Sequence, residues 1–388
     1  MNKLKFDAIV EYAKKNCEYY KSRLKDKNNE IPILRKEYIR GNEEKFLSNQ
    51  FLKKELLIER TSGTTGIPLY IYRSQFERAK QFYILWKFRK KNFNFDSTKR
   101  LLKFHISKKE STKEIIGEIK NFYTDKNKIS ISLFHLDDKN LDKIINKIIE
   151  YEPRWIFGPP SAIYLLTKYL KKRRIILKTI EYIEFSGEIL TKEIKEYVQN
   201  YFDCPVSNQY GMRETYGIAM TCEFGCFHIL EENVYLEEIN NNLIVTSLNG
   251  LAMPFIRYNT GDKGEIQNRS CLCKNKGRIL KLYSGREHEK IYIDDNCELN
   301  SSIFYYIFNK INIILEGKIL SFQIIQKNKN HFLVKLEIED TKYLNSIKEI
   351  FHKEILETIL KDKKFHFIER ESNINRNTGK KEYFYREF

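Results

Sequence analysis

The chain has 388 residues, 41% hydrophobic and 14% aromatic. That suits one large core with a smaller second domain and excludes a disordered chain. The formal charge is +17. It raises a polyanion partner, yet the lysines recur along nearly the whole chain between Glu and Asp, so the clustered footprint of a nucleic-acid-binding protein is missing.

No apolar run approaches the roughly 20 residues needed to span a bilayer. Met1 to Ala8 alternates charge with Leu4 and Phe6 and lacks an apolar signal core, which predicts a cytoplasmic protein. The start reads as helix. Leu141, Ile144, Ile145, Ile148 and Ile149 repeat one helical stripe. A short strand follows at Trp155 to Phe157, punctuated by Gly158, Pro159 and Pro160, and a helix opens near Ser161. The pattern repeats: strand Ile180 to Phe185, a Ser186-Gly187-Glu188 turn, then a helix with Ile194, Tyr197, Val198 and Tyr201 on one face. Strands alternating with helices predict a mostly parallel sheet with covered faces, and ligands then bind beyond the strands' carboxyl ends. After about residue 285 the pattern changes to a compact α+β unit. It has a helix Phe304 to Ile311, strands Leu320 to Gln326 and Phe332 to Ile338, another helix, and a short strand Phe365 to Glu369.

Three segments carry chemistry. Thr61-Ser62-Gly63-Thr64-Thr65-Gly66-Ile67-Pro68 has two glycines for tight turning and four hydroxyls beside them, suited to an anion cradle or to a polar hairpin loop. No Lys follows the second Gly, so it is not a Walker loop. Gln209-Tyr210-Gly211-Met212-Arg213-Glu214 offers a ring that can stack, a Gly that permits close approach of a flat ligand, and a carboxylate that can reach Mg²⁺; a plain turn explains the same Tyr-Gly pair. Arg257-Tyr258-Asn259-Thr260-Gly261-Asp262 ends on a carboxylate able to grip ribose hydroxyls or to cap a turn. Four of the 7 cysteines form two close pairs, Cys222/Cys226 and Cys271/Cys273, with His228 between them. These five candidate ligands suit a closed, structural zinc site, whereas Cys17, Cys204 and Cys297 read as core packing.

Taken together, in this order and spacing, the segments resemble the adenylate-forming (ANL) superfamily, and within it the phenylacetate–CoA ligase-like, CapK branch. Ile31 to Glu37 is similar to that branch's opening motif, and Asn375-Arg376-Asn377-Thr378-Gly379-Lys380 to its catalytic-lysine loop. The fold so implied is α/β: a large N-terminal adenylation domain, residues 1–285, with mixed sheets flanked by helices, and a small C-terminal α+β domain, residues 286–388. The resemblance implies an AMP-forming ligase that uses ATP and Mg²⁺ to activate a small-molecule carboxylic acid and passes the acyl group to a thiol, such as CoA or a carrier protein, or to an amine. It places Thr61, Ser62, Gly63, Thr64, Thr65 and Gly66 on the ATP phosphates. Ser186, Gly187, Glu188, Gln209, Tyr210 and Gly211 fall on the adenine, Asp262 and Arg286 on the ribose, and Glu214 on Mg²⁺. Gly158, Pro159, Pro160 and Ser161 would line the acyl pocket, and Lys380 would neutralise charge at the α-phosphate. It also selects Cys222, His228, Cys271 and Cys273 for zinc, with Cys226 as substitute. The branch's hinge acidic residue falls on Glu289, and no glycine near Tyr292 to Asn296 matches the thioesterification loop. The same nucleotide site also fits transfer of AMP to a hydroxyl acceptor, as in coenzyme F390 synthetases. A homodimer is a further expectation.

Overall fold

The computed structural model describes every residue except 1, 25–30, 61–68, 106–115, 119–127, 133–137, 188–189, 191, 274, 276, 284–289, 295–296, 316–317, 357, 359 and 370–383. The chain divides into two compact units, Met1–Tyr283 and Ser284–Phe388. Among the described residues no helix is long and apolar enough to cross a membrane.

The first unit is built on a twelve-stranded sheet. From one edge its strands are Val234–Ile239, Asn242–Ser247, Tyr258–Gln267, Ile279–Leu282, Phe227–Ile229, Tyr216–Thr221, Val206–Met212, Tyr182–Ser186, Trp155–Gly158, Leu101–His105, Lys128–Ser132 and Ile116–Glu118. The expectation of a mostly parallel sheet is corrected here. Only Lys128–Ser132, Leu101–His105, Trp155–Gly158, Tyr182–Ser186 and Val206–Met212 run parallel to one another. From Val206–Met212 outward every pairing is antiparallel, and no helix lies between these strands among the described residues.

The helices between the parallel strands cover the sheet through the apolar stripes read from the sequence. Ile144, Ile145 and Ile148 of the helix Asp138–Tyr151 are fully buried, as is Val198 of Lys192–Phe202. They join Ala162, Ile163, Leu166 and Leu170 of the helix Pro160–Lys172 in one cluster with Ile156, Ile183 and Phe185. The helix Gln75–Phe93 starts at a capping box: Ser74 Oγ accepts from the Glu77 amide at 3.2 Å and Glu77 Oε2 accepts from the Ser74 amide at 2.6 Å. The N-terminal helix Asn2–Asn16 buries Phe6, Ile9, Val10 and Ala13. A separate hairpin pairs Leu57–Arg60 with Tyr70–Arg73.

The second unit is a four-stranded sheet in the order Lys364–Glu369, His331–Ile338, Ile319–Asn328, Phe384–Arg386, with the helices Ser302–Ile314 and Leu344–Leu356. Phe332, Val334, Leu336 and Ile338 alternate into its core. A two-stranded hairpin, Lys290–Asp294 with Cys297–Asn300, buries Ile291 and Ile293 in the same core and is tied by a side-chain amide. Gln326, fully buried, accepts from the Tyr292 amide at 2.9 Å and donates to the Tyr292 carbonyl at 2.6 Å.

Candidate functional site

Three of the sequence-read segments stand side by side because the parallel strands that carry them are neighbours. Gly158 ends one strand opposite Phe185, and Ser186, ending the next, is paired with Gln209. Their carboxyl ends lie on the same side of the sheet, and open α/β sheets bind ligands beyond the carboxyl ends of their parallel strands. Ser186 Oγ donates to the Gln209 carbonyl at 3.2 Å. Gly187 follows with φ +88° and, among the described residues, no atom within 4 Å of where a Cβ would lie. Gly158, Pro159 and Pro160 are buried, Pro160 opening the helix Pro160–Lys172, whose first turn includes Ser161.

Gly211 also has a role inside the sheet. A Cβ there would lie 2.2 Å from the Tyr216 carbonyl oxygen, so the missing side chain lets the next strand close, at a bulge between Tyr210 and Gly211. Tyr210 is half-buried and donates from its hydroxyl to Asp262 Oδ2 at 2.9 Å. Burial and the Asp262 carboxylate push its phenol well above the usual range, so it remains a donor. The Gly261 amide donates to Asn259 Oδ1 at 2.9 Å and the Asp262 amide to Thr260 Oγ1 at 3.0 Å, while the exposed carboxylate turns to Tyr210. Glu214 is buried, and its Oε1 accepts from the Tyr258 hydroxyl at 2.9 Å. Lys36, on the N-terminal segment, feels that carboxylate; burial nevertheless lowers its ammonium below the ordinary value. Leu34 holds the segment there, since its amide donates to the Arg257 carbonyl and its carbonyl accepts from the Asn259 amide, both at 2.9 Å.

Thr61, Ser62, Gly63, Thr64, Thr65 and Gly66, with Glu188, Arg286, Glu289 and Lys380, lie outside the described residues. The strands flanking 61–68 are paired, Arg60 opposite Tyr70.

A second constellation brings Cys222, His228, Cys271 and Cys273 together, their ligand atoms all within 4.8 Å of one another. The sheet does this: His228 sits between Met220, at the end of the strand that runs into Cys222, and Ile279, on the strand that follows the Cys271–Cys273 loop. Cys222 Sγ is 3.6 Å from Cys271 Sγ and Cys273 Sγ is 3.1 Å from His228 Nε2. A tetrahedral zinc with ordinary bond lengths has S···S edges of about 3.8 Å and S···N edges of about 3.5 Å, so the donor set and spacing fit that ion. Cys226 is not in the group; its Sγ accepts from Arg269 Nη2 at 3.7 Å. Burial pushes the Cys222 thiol up to about 12 and, with Lys91 and Arg269, holds the His228 imidazole below its usual value. His228 Nδ1 is buried without a hydrogen-bond partner among the described residues.

Sequence reading missed two polar networks beside the site. Arg89 and Glu184 form a buried bidentate pair, Nε to Oε2 and Nη2 to Oε1, each at 2.7 Å, and the Tyr182 hydroxyl adds 2.9 Å to Oε2. Arg73, 2% exposed, reaches the turn that carries Glu214: its Nη2 donates to the Arg213 carbonyl at 2.7 Å. No local motif marks either arginine. The only signal was a polar residue recurring on a helix or strand face that ought to be apolar.

No family model matches the chain. Protein CapK of Staphylococcus aureus is 24% identical, the match covering 88% of this chain and 79% of that protein. A solved 2-hydroxyisobutyryl-CoA ligase, in complex with 2-HIB-AMP and CoA in the thioesterification state, superposes with TM-score 0.63 at 13% identity, covering 99% of this chain and 88% of that one. The same ligase in its postadenylation state with R3-HIB-AMP gives TM-score 0.59 at 12% identity, covering 95% and 85%. The chain thus has the adenylate-forming ligase fold, mixed α/β with a smaller C-terminal sheet unit, and resembles CapK along most of its length.

Proposed function

We propose that the chain is an AMP-forming ligase: it activates a carboxylic acid with ATP and transfers the acyl group to a thiol, CoA among the candidates, or to an amine. The observation that carries this is the gathering of Ser186, Gln209, Tyr210 and Gly211 on adjacent parallel strands, with Tyr210 bonded to Asp262 and with Glu214 in the turn that follows, in the fold of a ligase solved with an acyl-AMP.

In the first half-reaction a carboxylate oxygen forms a bond to the α-phosphorus of ATP. The bond from that phosphorus to the bridging oxygen breaks and pyrophosphate leaves. In the second, the acceptor's sulfur or nitrogen attacks the acyl carbonyl and AMP leaves. Catalysis of such steps is largely positioning and charge neutralisation. The strand ends would receive the adenine, Ser186 and Gln209 framing it and Gly187 presenting bare backbone. Tyr210, protonated throughout, would hold the Asp262 carboxylate toward the ribose hydroxyls. Residues 61–66 would hold the phosphates, Arg286 the ribose, Gly158 to Ser161 the acyl group, and Lys380 the charge growing on the α-phosphate. Glu214 would be the carboxylate for Mg²⁺, which neutralises phosphate charge when bound. Its buried Oε1 accepts from the Tyr258 hydroxyl, a contact that would orient the carboxylate. We read the Cys222, His228, Cys271, Cys273 cluster as a closed zinc site that fixes the loops around it.

Replacing Asp262 with Ala tests the nucleotide reading. Half-saturation for ATP should rise about tenfold or more, the scale of losing hydrogen bonds to a charged group, with half-saturation for the acid unchanged. An unaltered ATP dependence would remove the ribose role.

A further inference from the structure

The hairpin Leu57–Arg60 with Tyr70–Arg73 forms a sheet of its own, and among the described residues no backbone ladder ties it to the twelve-stranded sheet. Leu69 and Ile71 bury into the main core, but apolar contact is non-directional and does not set a register. Arg73 supplies direction. Its Nη1 donates to Gln81 Oε1 at 2.6 Å, and its Nη2 donates to the Arg213 carbonyl at 2.7 Å and the Glu214 carbonyl at 3.4 Å. The guanidinium carbon lies 4.3 Å from the centre of the Tyr216 ring. Its Nε is 3.9 Å from Glu59 Oε2, and Glu59 Oε1 accepts from the Tyr216 hydroxyl.

The guanidinium is thus the common partner of both hairpin strands' surroundings and of the 213–216 turn. The turn is not relaxed backbone: Tyr216 has φ +58°, a conformation that a bulky residue keeps only when its neighbours impose it. Arg73 stacking on the ring and Glu59 holding the hydroxyl are those neighbours. A planar fork with fixed donor directions can bridge an amide on one side and two consecutive carbonyls on the other; an ammonium cannot.

We propose that Arg73 is a positioning residue: it locks the hairpin whose strands flank residues 61–68 in register with the turn that presents Glu214. The use made of that register rests on the adenylation reading above, in which the two carry the phosphates and the cation of one nucleotide. The lock itself does not depend on it.

The test is Arg73→Lys, which keeps the charge and loses the fork. Amide hydrogen exchange at 70–73 and 213–216 should accelerate together, with the helix Ser302–Ile314 unchanged. Equilibrium binding of Mg·ATP should weaken about tenfold, the scale of a lost charge-assisted contact, while half-saturation for the acid holds. Gln81→Met, which frees only Nη1, should move the same quantities in the same direction by less, and it serves if the lysine variant does not fold. Acceleration at one segment alone, or at neither, would overturn the lock. Loosening at both with unchanged Mg·ATP binding would overturn its positioning role. Wild-type protein that binds no Mg·ATP would instead remove the adenylation reading, and hydrogen exchange would still decide whether the lock exists.

Discussion

Replacing Glu184 with Gln should cost about 3 kcal/mol of stability. Both carboxylate oxygens take the Arg89 fork at 2.7 Å, Glu184 is fully buried and Arg89 is 4% exposed. The amide keeps one acceptor, but its NH₂ faces an Arg89 donor, and the cation is left in a dry interior without its counter-charge. Breaking a buried pair in this way costs about 3–5 kcal/mol. The low end applies because Arg89 retains its contact with Trp86, 4.4 Å from that ring centre, and one hydrogen bond. Trp86 and Trp155 are the chain's 2 tryptophans, and Arg89 lies over both. Tryptophan fluorescence during urea unfolding therefore reports this region. The variant should show a lower midpoint with an unchanged slope. Glu181→Gln is the control: Glu181 pairs with Lys99 and Arg154 but is 38% exposed, so its loss should stay within about 1 kcal/mol. A Glu184→Gln loss no larger than the control's would refute the assignment of a cooperative buried pair under the Tyr182–Ser186 strand.

Other outcomes follow from the same structure. About one zinc per chain should co-purify, and Cys271→Ser should abolish it and lower Tm more than Cys17→Ser does, because a structural ion contributes folding free energy; elemental analysis and thermal melts check both. Gly211→Ala should destabilise by about 1–3 kcal/mol, the cost of overpacking, since its Cβ meets the Tyr216 carbonyl oxygen, a backbone atom, at 2.2 Å; a neutral result in urea unfolding would mean that the bulge can open. Lys380→Ala should leave ATP binding nearly intact and slow single-turnover adenylation by about two orders of magnitude, with Lys381→Ala near wild type.

What could be read in the sequence was whatever has a local signature. The alternation of the strands now at Trp155–Gly158 and Tyr182–Ser186 with amphipathic helices shows in the apolar periodicity itself, as does the Phe332 to Ile338 strand. The antiparallel half was not legible. His228 pairs with both Met220 and Ile279, and nothing in a three-residue strand announces a partner some fifty residues away. The helix Gln75–Phe93 hid for another reason: its buried face carries Glu77, Gln81 and Arg89 beside Ile84, Leu85 and Phe88, which breaks the apolar stripe. Those same polar residues hold the 250–252 segment, Arg73 and Glu184. The gap in the pattern therefore marked the networks that brace the candidate site. The zinc-type cluster was legible from its pairs, while the exclusion of Cys226 needed the position of its sulfur beside Arg269.

The central claim is acid activation at the strand-end site, and pyrophosphate exchange measures it without knowledge of the acceptor. Purified protein with ATP, Mg²⁺ and labelled pyrophosphate, taken through a library of aryl, fatty, hydroxy and amino acids, should return label to ATP with one chemical class of acid and give none without acid. Asp262→Ala should lose that exchange at low ATP and recover it as ATP is raised. Absence of exchange with every acid, in protein shown to be folded by its urea transition, would contradict the account.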